Sequence, residues 1–124
     1  MMTAQQMLDH ARQTIATFPA PFRAPARAVI LTVAEWPPAE FLEPGEDPSN
    51  LTGLYEGVPM TLKHPEMMSG PDTVWLFRQP ILSEWRARGN VTLEALVAHV
   101  TVHEFAHHFG WSDEDIARVD PWWD

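Results

Sequence analysis

The chain has 124 residues, which is one ordinary domain and too few for two independent cores. Lys and Arg number 8 against 17 Asp and Glu, so the formal charge is −9. This balance argues against a nucleic-acid binder and against docking on an anionic membrane surface. The chain has no cysteine, which excludes disulfides, thiol nucleophiles and cysteine-ligated zinc. We therefore expect a single domain over 1–124.

The first half of the chain predicts one long helix and one strand. Apolar residues at three- and four-residue spacing indicate an amphipathic helix that Thr3 can cap. A run rich in β-branched residues suits a buried strand. In chain order we expect a helix over 3–18, a loop marked by Pro19, Pro21 and Pro25, the strand over 28–34, one or two helical turns over 37–42 and an acidic loop over 43–53.

The second half predicts two more strands and the strongest helix. In chain order we expect a strand over 54–56, an irregular stretch over 60–72, a strand over 73–79, and helices over 80–88, 92–109 and 113–119. The helix over 92–109 is apolar on nearly every side, which is typical of a central, buried helix. Gly89 can end the helix over 80–88 in the left-handed conformation, and Gly110 ends the helix over 92–109. The strand over 73–79 is either interior or an edge to which an extended peptide could add.

A short motif in the apolar helix carries the chemistry. His103 and His107 are four residues apart, so they lie one helical turn from each other and can aim two imidazoles at one metal ion. Glu104 is rotated from His103 by about 100° and cannot easily bind the same ion. It can reach a water held at the ion's open position. Zinc lowers the pKa of such a water to about 7, and a neighbouring carboxylate can take its proton. This is the H-E-x-x-H arrangement of zinc peptidases.

The motif extends to H-E-x-x-H-x-x-G-x-x-D through Gly110 and Asp113. Gly110 can break the helix three residues after His107, so the returning chain can bring Asp113 to the same ion. A second explanation of Asp113 stays open. The residue follows Ser112 in the first turn of a short helix, where any acidic side chain gains from the helix dipole.

Three segments, 54–59, 73–78 and 103–110, resemble segments of the minimal zincin family, small zincin-like zinc metallopeptidases of bacteria, in the same order. The resemblance covers roughly 28–119. It implies an α/β (α+β) fold in which a small mixed sheet packs on a central H-E-x-x-H helix, with further helices around it. It also implies one Zn²⁺ per chain bound by His103, His107 and Asp113, with Glu104 as the general base.

Four other residues have two interpretations each. His108 points about 100° away from His107 and favours a hydrogen bond to backbone or to a carboxylate. His99 lies one turn before His103 and either lines the cleft or serves the structure. His64 is in a loop and is either a transition-state donor or an ordinary loop residue. Tyr55, the only tyrosine, either packs or donates from its phenol to an oxyanion.

The motif predicts zinc-dependent hydrolysis of a peptide bond in a peptide or protein substrate, with Glu104 passing the water's proton to the leaving amine. One alternative is a zinc-stabilised binding module without turnover, since small domains often gain stability from a metal. Such a site needs a fourth ligand and has no use for Glu104. Another alternative is hydrolysis of a non-peptide amide.

The sequence also predicts where the protein is found. Residues 1–10 do not resemble a signal peptide, and no apolar stretch approaches 18 residues, so a cytoplasmic location is expected.

Overall fold

Five α-helices and three strands make up the part of the chain that the computed structural model describes, residues 1–57 and 72–119, without the side chains of Asp113 and Val119. In chain order they are α1 (Ala4–Ala16), α2 (Ala20–Arg27), β1 (Ile30–Ala34), β2 (Gly53–Glu56), β3 (Thr73–Phe77), α3 (Arg78–Arg88), α4 (Leu93–Phe109) and α5 (Asp113–Val119). Single 3-10 turns at Ala39–Phe41 and Pro48–Asn50 lie between β1 and β2.

The three strands form one mixed sheet in the order β1-β3-β2. β1 pairs with β3 in parallel, with Ile30 opposite Thr73. β2 pairs with β3 antiparallel, with Glu56 opposite the same Thr73. The small α+β fold with a mixed sheet is therefore confirmed. β3 lies between the other two strands, which decides the open question about 73–79 in favour of an interior strand, and that strand ends at Phe77 because α3 begins at the next residue.

The expectation that 28–34 is a buried strand is only half right. The strand exists, but β1 has one neighbour in the described sheet and Ile30 is 46% exposed. Leu31 and Val33 pack against the core, whereas the strand as a whole is only partly buried. A short apolar run predicts an extended backbone but does not reveal whether the strand has one neighbour or two.

The loop predicted from Pro19, Pro21 and Pro25 is wrong, because residues Ala20–Arg27 form α2. The first backbone N–H groups of a helix have no partner within it, so Pro21 costs no hydrogen bond. Pro25 lies inside the helix and removes one bond, a loss that the buried Ala26 and the half-buried Phe22 offset by packing against the core. Tertiary packing here overrides the local preference of proline for loops and turns.

The central position of α4 is confirmed. The helix packs against α1, α3, α5, β2 and β3, and ten of its seventeen residues are buried. The Thr92 hydroxyl accepts a hydrogen bond from the Ala95 backbone N–H at 3.0 Å, which caps the N-terminus. Gly110, with φ of 68°, ends the helix in the left-handed conformation. The helix that carries the motif is thus also the main element of the core.

The remaining helices follow their sequence signals closely. Thr3 and Gln6 form a capping box at the start of α1, and Gly89 ends α3 with φ of 71°. The stretch predicted as irregular, 60–72, lies outside the described residues except for Asp72. In residues 1–57 and 72–119, no helix is long and apolar enough to cross a membrane.

Candidate metal centre and active site

His103, Glu104 and His107 lie on one side of α4, in the two turns before its C-terminus. His103 and Glu104 are partly buried and His107 is exposed. The Nε2 atom of His103 is buried and has no hydrogen-bond partner among the described residues. A buried ring nitrogen without a partner is unfavourable, and a metal ion is one group that satisfies it. The His103 side chain therefore fits the role of a metal ligand.

Glu104 and His107 open onto the same cleft, which has a volume of about 290 Å³. Its other side is formed by β2 and the residue that follows it, and the lining residues are Leu54, Tyr55, Gly57, Glu104 and His107. The motif glutamate and the second motif histidine thus face a space that solvent can enter. A ligand in this cleft would contact both of them and the β2 backbone.

Gly53 allows β2 to cross α4 at close range. A Cβ atom at this position would lie 2.9 Å from Cγ1 of Val100 and 3.0 Å from Cγ of Glu104. It would also lie 3.1 Å from the backbone oxygen of Trp75. These distances leave no room for a larger residue unless the strand moves. The strand is therefore held directly beside Glu104.

The backbone of β2 also presents a donor to Glu104. In an antiparallel pair, alternate residues direct their N–H and C=O groups towards the partner strand. The Phe77 N–H donates to the Thr52 carbonyl at 2.9 Å, so the backbone groups of Thr52 are directed towards β3. Tyr55 lies an odd number of residues after Thr52, and its N–H is therefore directed away from β3, to the open edge of the sheet. Burial raises the pKa of Glu104 to about 7, although a hydrogen bond from the Tyr55 N–H lowers it.

Asp113 is the first residue of α5, and its side chain lies outside the described residues. The cap of this helix does not need it. The Ser112 hydroxyl accepts from the Asp115 N–H at 3.1 Å, and the Asp115 carboxylate accepts from the Ser112 N–H at 3.1 Å. In the part of the chain that is described, no three His, Asp or Glu side chains are grouped to bind one ion. Asp113 as the third ligand remains a prediction.

A buried polar cluster lies behind the cleft. The Tyr55 hydroxyl donates to Oδ2 of Asp72 at 3.0 Å, and Nδ1 of His108 lies 3.0 Å from the same oxygen. His108 thus contacts a carboxylate, in line with its structural interpretation. Burial and the neighbouring Asp72 raise the pKa of Tyr55, so its phenol is neutral. Because this hydroxyl is bonded to Asp72, the packing interpretation of Tyr55 is favoured over that of an oxyanion donor.

Sequence reasoning missed Asp72, which lies one residue before β3. The strand register, continued by one residue, places it opposite Gly57, and Asp72 lies outside the three segments that resemble the family. His99 and His103 have ring centroids 4.3 Å apart, as one-turn spacing predicts. His64 lies outside the described residues.

Comparison with known proteins places the chain in a family. A family model described as zincin-like metallopeptidase matches residues 26–123, most of the chain. The chain matches no curated protein sequence. The matched region contains the sheet, the cleft and the whole H-E-x-x-H-x-x-G-x-x-D motif. The chain belongs to the zincin-like metallopeptidase family.

Proposed function

We propose that the protein is a zinc-dependent peptidase that hydrolyses peptide bonds in the cleft between β2 and α4. The observation that carries this proposal is the shared placement of Glu104 and His107 in one open cleft. His103, one turn before His107, has a buried ring nitrogen without a hydrogen-bond partner among the described residues. Membership of a metallopeptidase family supports the same reaction class.

His103, His107 and Asp113 would hold one zinc ion per chain. Two neutral imidazoles and one carboxylate are a ligand set that catalytic zinc sites use, with one position left for water or substrate. When bound, zinc supplies a Lewis acid that polarises the scissile carbonyl and lowers the pKa of a water molecule. Glu104 is not needed as a ligand in this arrangement.

Glu104 is the proposed general base. It accepts a proton from the attacking water as the water oxygen forms a bond to the carbonyl carbon. The C–N bond then breaks, and Glu104 returns the proton to the leaving amine, so protons balance over the reaction. The Tyr55 N–H, which hydrogen-bonds the carboxylate, holds this group in the cleft. Leu54 offers the substrate an apolar surface on the opposite side.

The test of this function is cleavage of a peptide library by zinc-loaded and metal-free protein. We expect specific cleavage by the zinc-loaded form and none by the metal-free form, because the carbonyl is then no longer polarised. His103→Ala, purified in the same way, controls for a contaminating protease. Lack of cleavage by folded, zinc-loaded protein would contradict the proposal and favour a zinc-stabilised binding module.

The zinc ligands can be tested through stability. A ligand that binds only the native state stabilises it by mass action, by about 2.7 kcal/mol at a concentration 100 times its Kd. We expect Asp113→Ala to reduce the zinc-induced rise in melting temperature. Asp115→Ala is the matched control, because it removes an acidic side chain and one of the two capping hydrogen bonds of the same helix without removing a proposed ligand. Equal reduction in both variants would show that the acid at 113 acts only on the helix.

A further inference from the structure

The buried cluster of Tyr55, Asp72 and His108 joins three separate elements. Tyr55 belongs to β2, Asp72 directly precedes β3, and His108 is in the last turn of α4. Besides the contacts to Oδ2 of Asp72, Nδ1 of His108 lies 3.1 Å from the Tyr55 hydroxyl. Asp72 and His108 are each 4% exposed. A buried polar cluster of this kind is favourable only in one arrangement, so it fixes the relative position of the elements that it joins.

Tyr55 connects this cluster to the cleft. Its side chain is held by Asp72 and His108, while its backbone N–H is directed to the open edge of β2 and hydrogen-bonds Glu104. A tilt of the strand would therefore disturb both ends of the residue. Strand pairing directs the N–H to this edge, and holding the phenol keeps this part of β2 in place, so that the N–H stays against the carboxylate that receives it.

Gly57 shows how closely the chain is fitted around Asp72. Gly57 has φ of 153°, and a Cβ atom there would collide with the Asp72 carboxyl group. Gly57 and Tyr55 are two of the five residues that line the cleft. The Asp72 side chain thus lies against both Tyr55 and Gly57 on the β2 side of the cleft, although it does not line the cleft itself.

We propose that Tyr55, Asp72 and His108 form a positioning network that holds β2, and with it the Tyr55 N–H, against Glu104. The three are positioning residues and not catalytic residues, because they act on the reaction through Glu104. The expected effect of the network on catalysis rests on the proposed function, whereas its expected effect on the β2 edge does not. The network predicts that losing one of its hydrogen bonds loosens the β2 edge before it unfolds the protein.

The experiment compares Tyr55→Phe, Asp72→Asn and Asp72→Ala with Thr101→Val. The control removes a fully buried hydroxyl from α4, the helix that carries His108, and it keeps the β-branched shape. There Thr101 Oγ1 donates to the Val97 carbonyl at 2.8 Å. Amide hydrogen exchange at position 55 is measured by NMR in folded, metal-free protein. We expect exchange about tenfold faster in Tyr55→Phe than in Thr101→Val, and faster in Asp72→Ala than in Asp72→Asn, which still accepts from Tyr55.

A second readout separates positioning from stability alone. With a cleaved peptide, Tyr55→Phe should lower kcat and leave KM nearly unchanged, while Thr101→Val should leave both unchanged. Exchange at position 55 that matches wild type and Thr101→Val would overturn the network, with or without a known substrate. Faster exchange with an unchanged kcat would overturn its role in the reaction. Absence of cleavage by wild type would count against the proposed function, and the exchange comparison would still decide the network.

Discussion

Replacing Glu104 by Gln is expected to lower turnover of a cleaved peptide by about 10²- to 10⁴-fold, the usual contribution of a general base. Gln keeps the volume of the side chain beside Gly53, and its amide oxygen can still accept from the Tyr55 N–H. The amide cannot take a proton from water. Zinc content should stay the same, since Glu104 is not a proposed ligand. Steady-state kinetics and elemental analysis measure the two effects.

The matched control for this variant is Glu94→Gln. Glu94 is exposed in the first turn of the same helix, far from the cleft residues, so the substitution makes the same change of charge without touching the site. Turnover should be unchanged in the control. Full turnover in Glu104→Gln would exclude a general-base role, and loss of zinc would indicate that Glu104 is a ligand.

Replacing Phe105 by Ala is expected to lower the free energy of unfolding by about 3–5 kcal/mol. Phe105 is fully buried on α4 between the two motif histidines, and its ring contacts Phe18 at a centroid distance of 5.7 Å and Phe109 at 6.3 Å. The truncation leaves a cavity that these rings cannot fill without moving. A loss of this size is a large part of the about 5–15 kcal/mol that stabilises a typical domain.

Urea unfolding of metal-free protein measures this loss, with Phe41→Ala as the control. Phe41 is only partly buried and contacts Trp75 and Phe77 from a 3-10 turn. Its truncation should cost clearly less. Equal losses in the two variants would contradict the view that the core is centred on α4.

Local signals in the sequence are sufficient to predict α4 and the placement of its two motif histidines one turn apart. The helix was expected over 92–109 and begins at Leu93, because Thr92 and Gly110 are capping residues whose effect depends on near neighbours. The spacing of His103 and His107 is fixed by helix geometry alone. By contrast, the proline-marked loop proved to be α2, since packing of its apolar side against the core decided the structure there.

The rest of the site depends on strand register, which the sequence does not reveal. The Tyr55 N–H reaches Glu104 because of the alternation along β2, and Asp72 meets Tyr55 because β3 pairs with β2 in one alignment. A shift of one residue would direct the Tyr55 N–H to β3 instead. Tyr55 and His108 could therefore be singled out by residue type, whereas Asp72 required the fold.

α4 carries the motif residues and is also the main element of the core, and this limits how the protein could evolve a new preference for substrate. Most of its residues are buried, and the histidines and Glu104 occupy much of what remains, so few substitutions on the helix would be neutral. β2 is less constrained at Leu54, a half-buried side chain that lines the cleft. For the proposed peptidase, adaptation to a different substrate would accordingly start on the strand, with the helix kept constant.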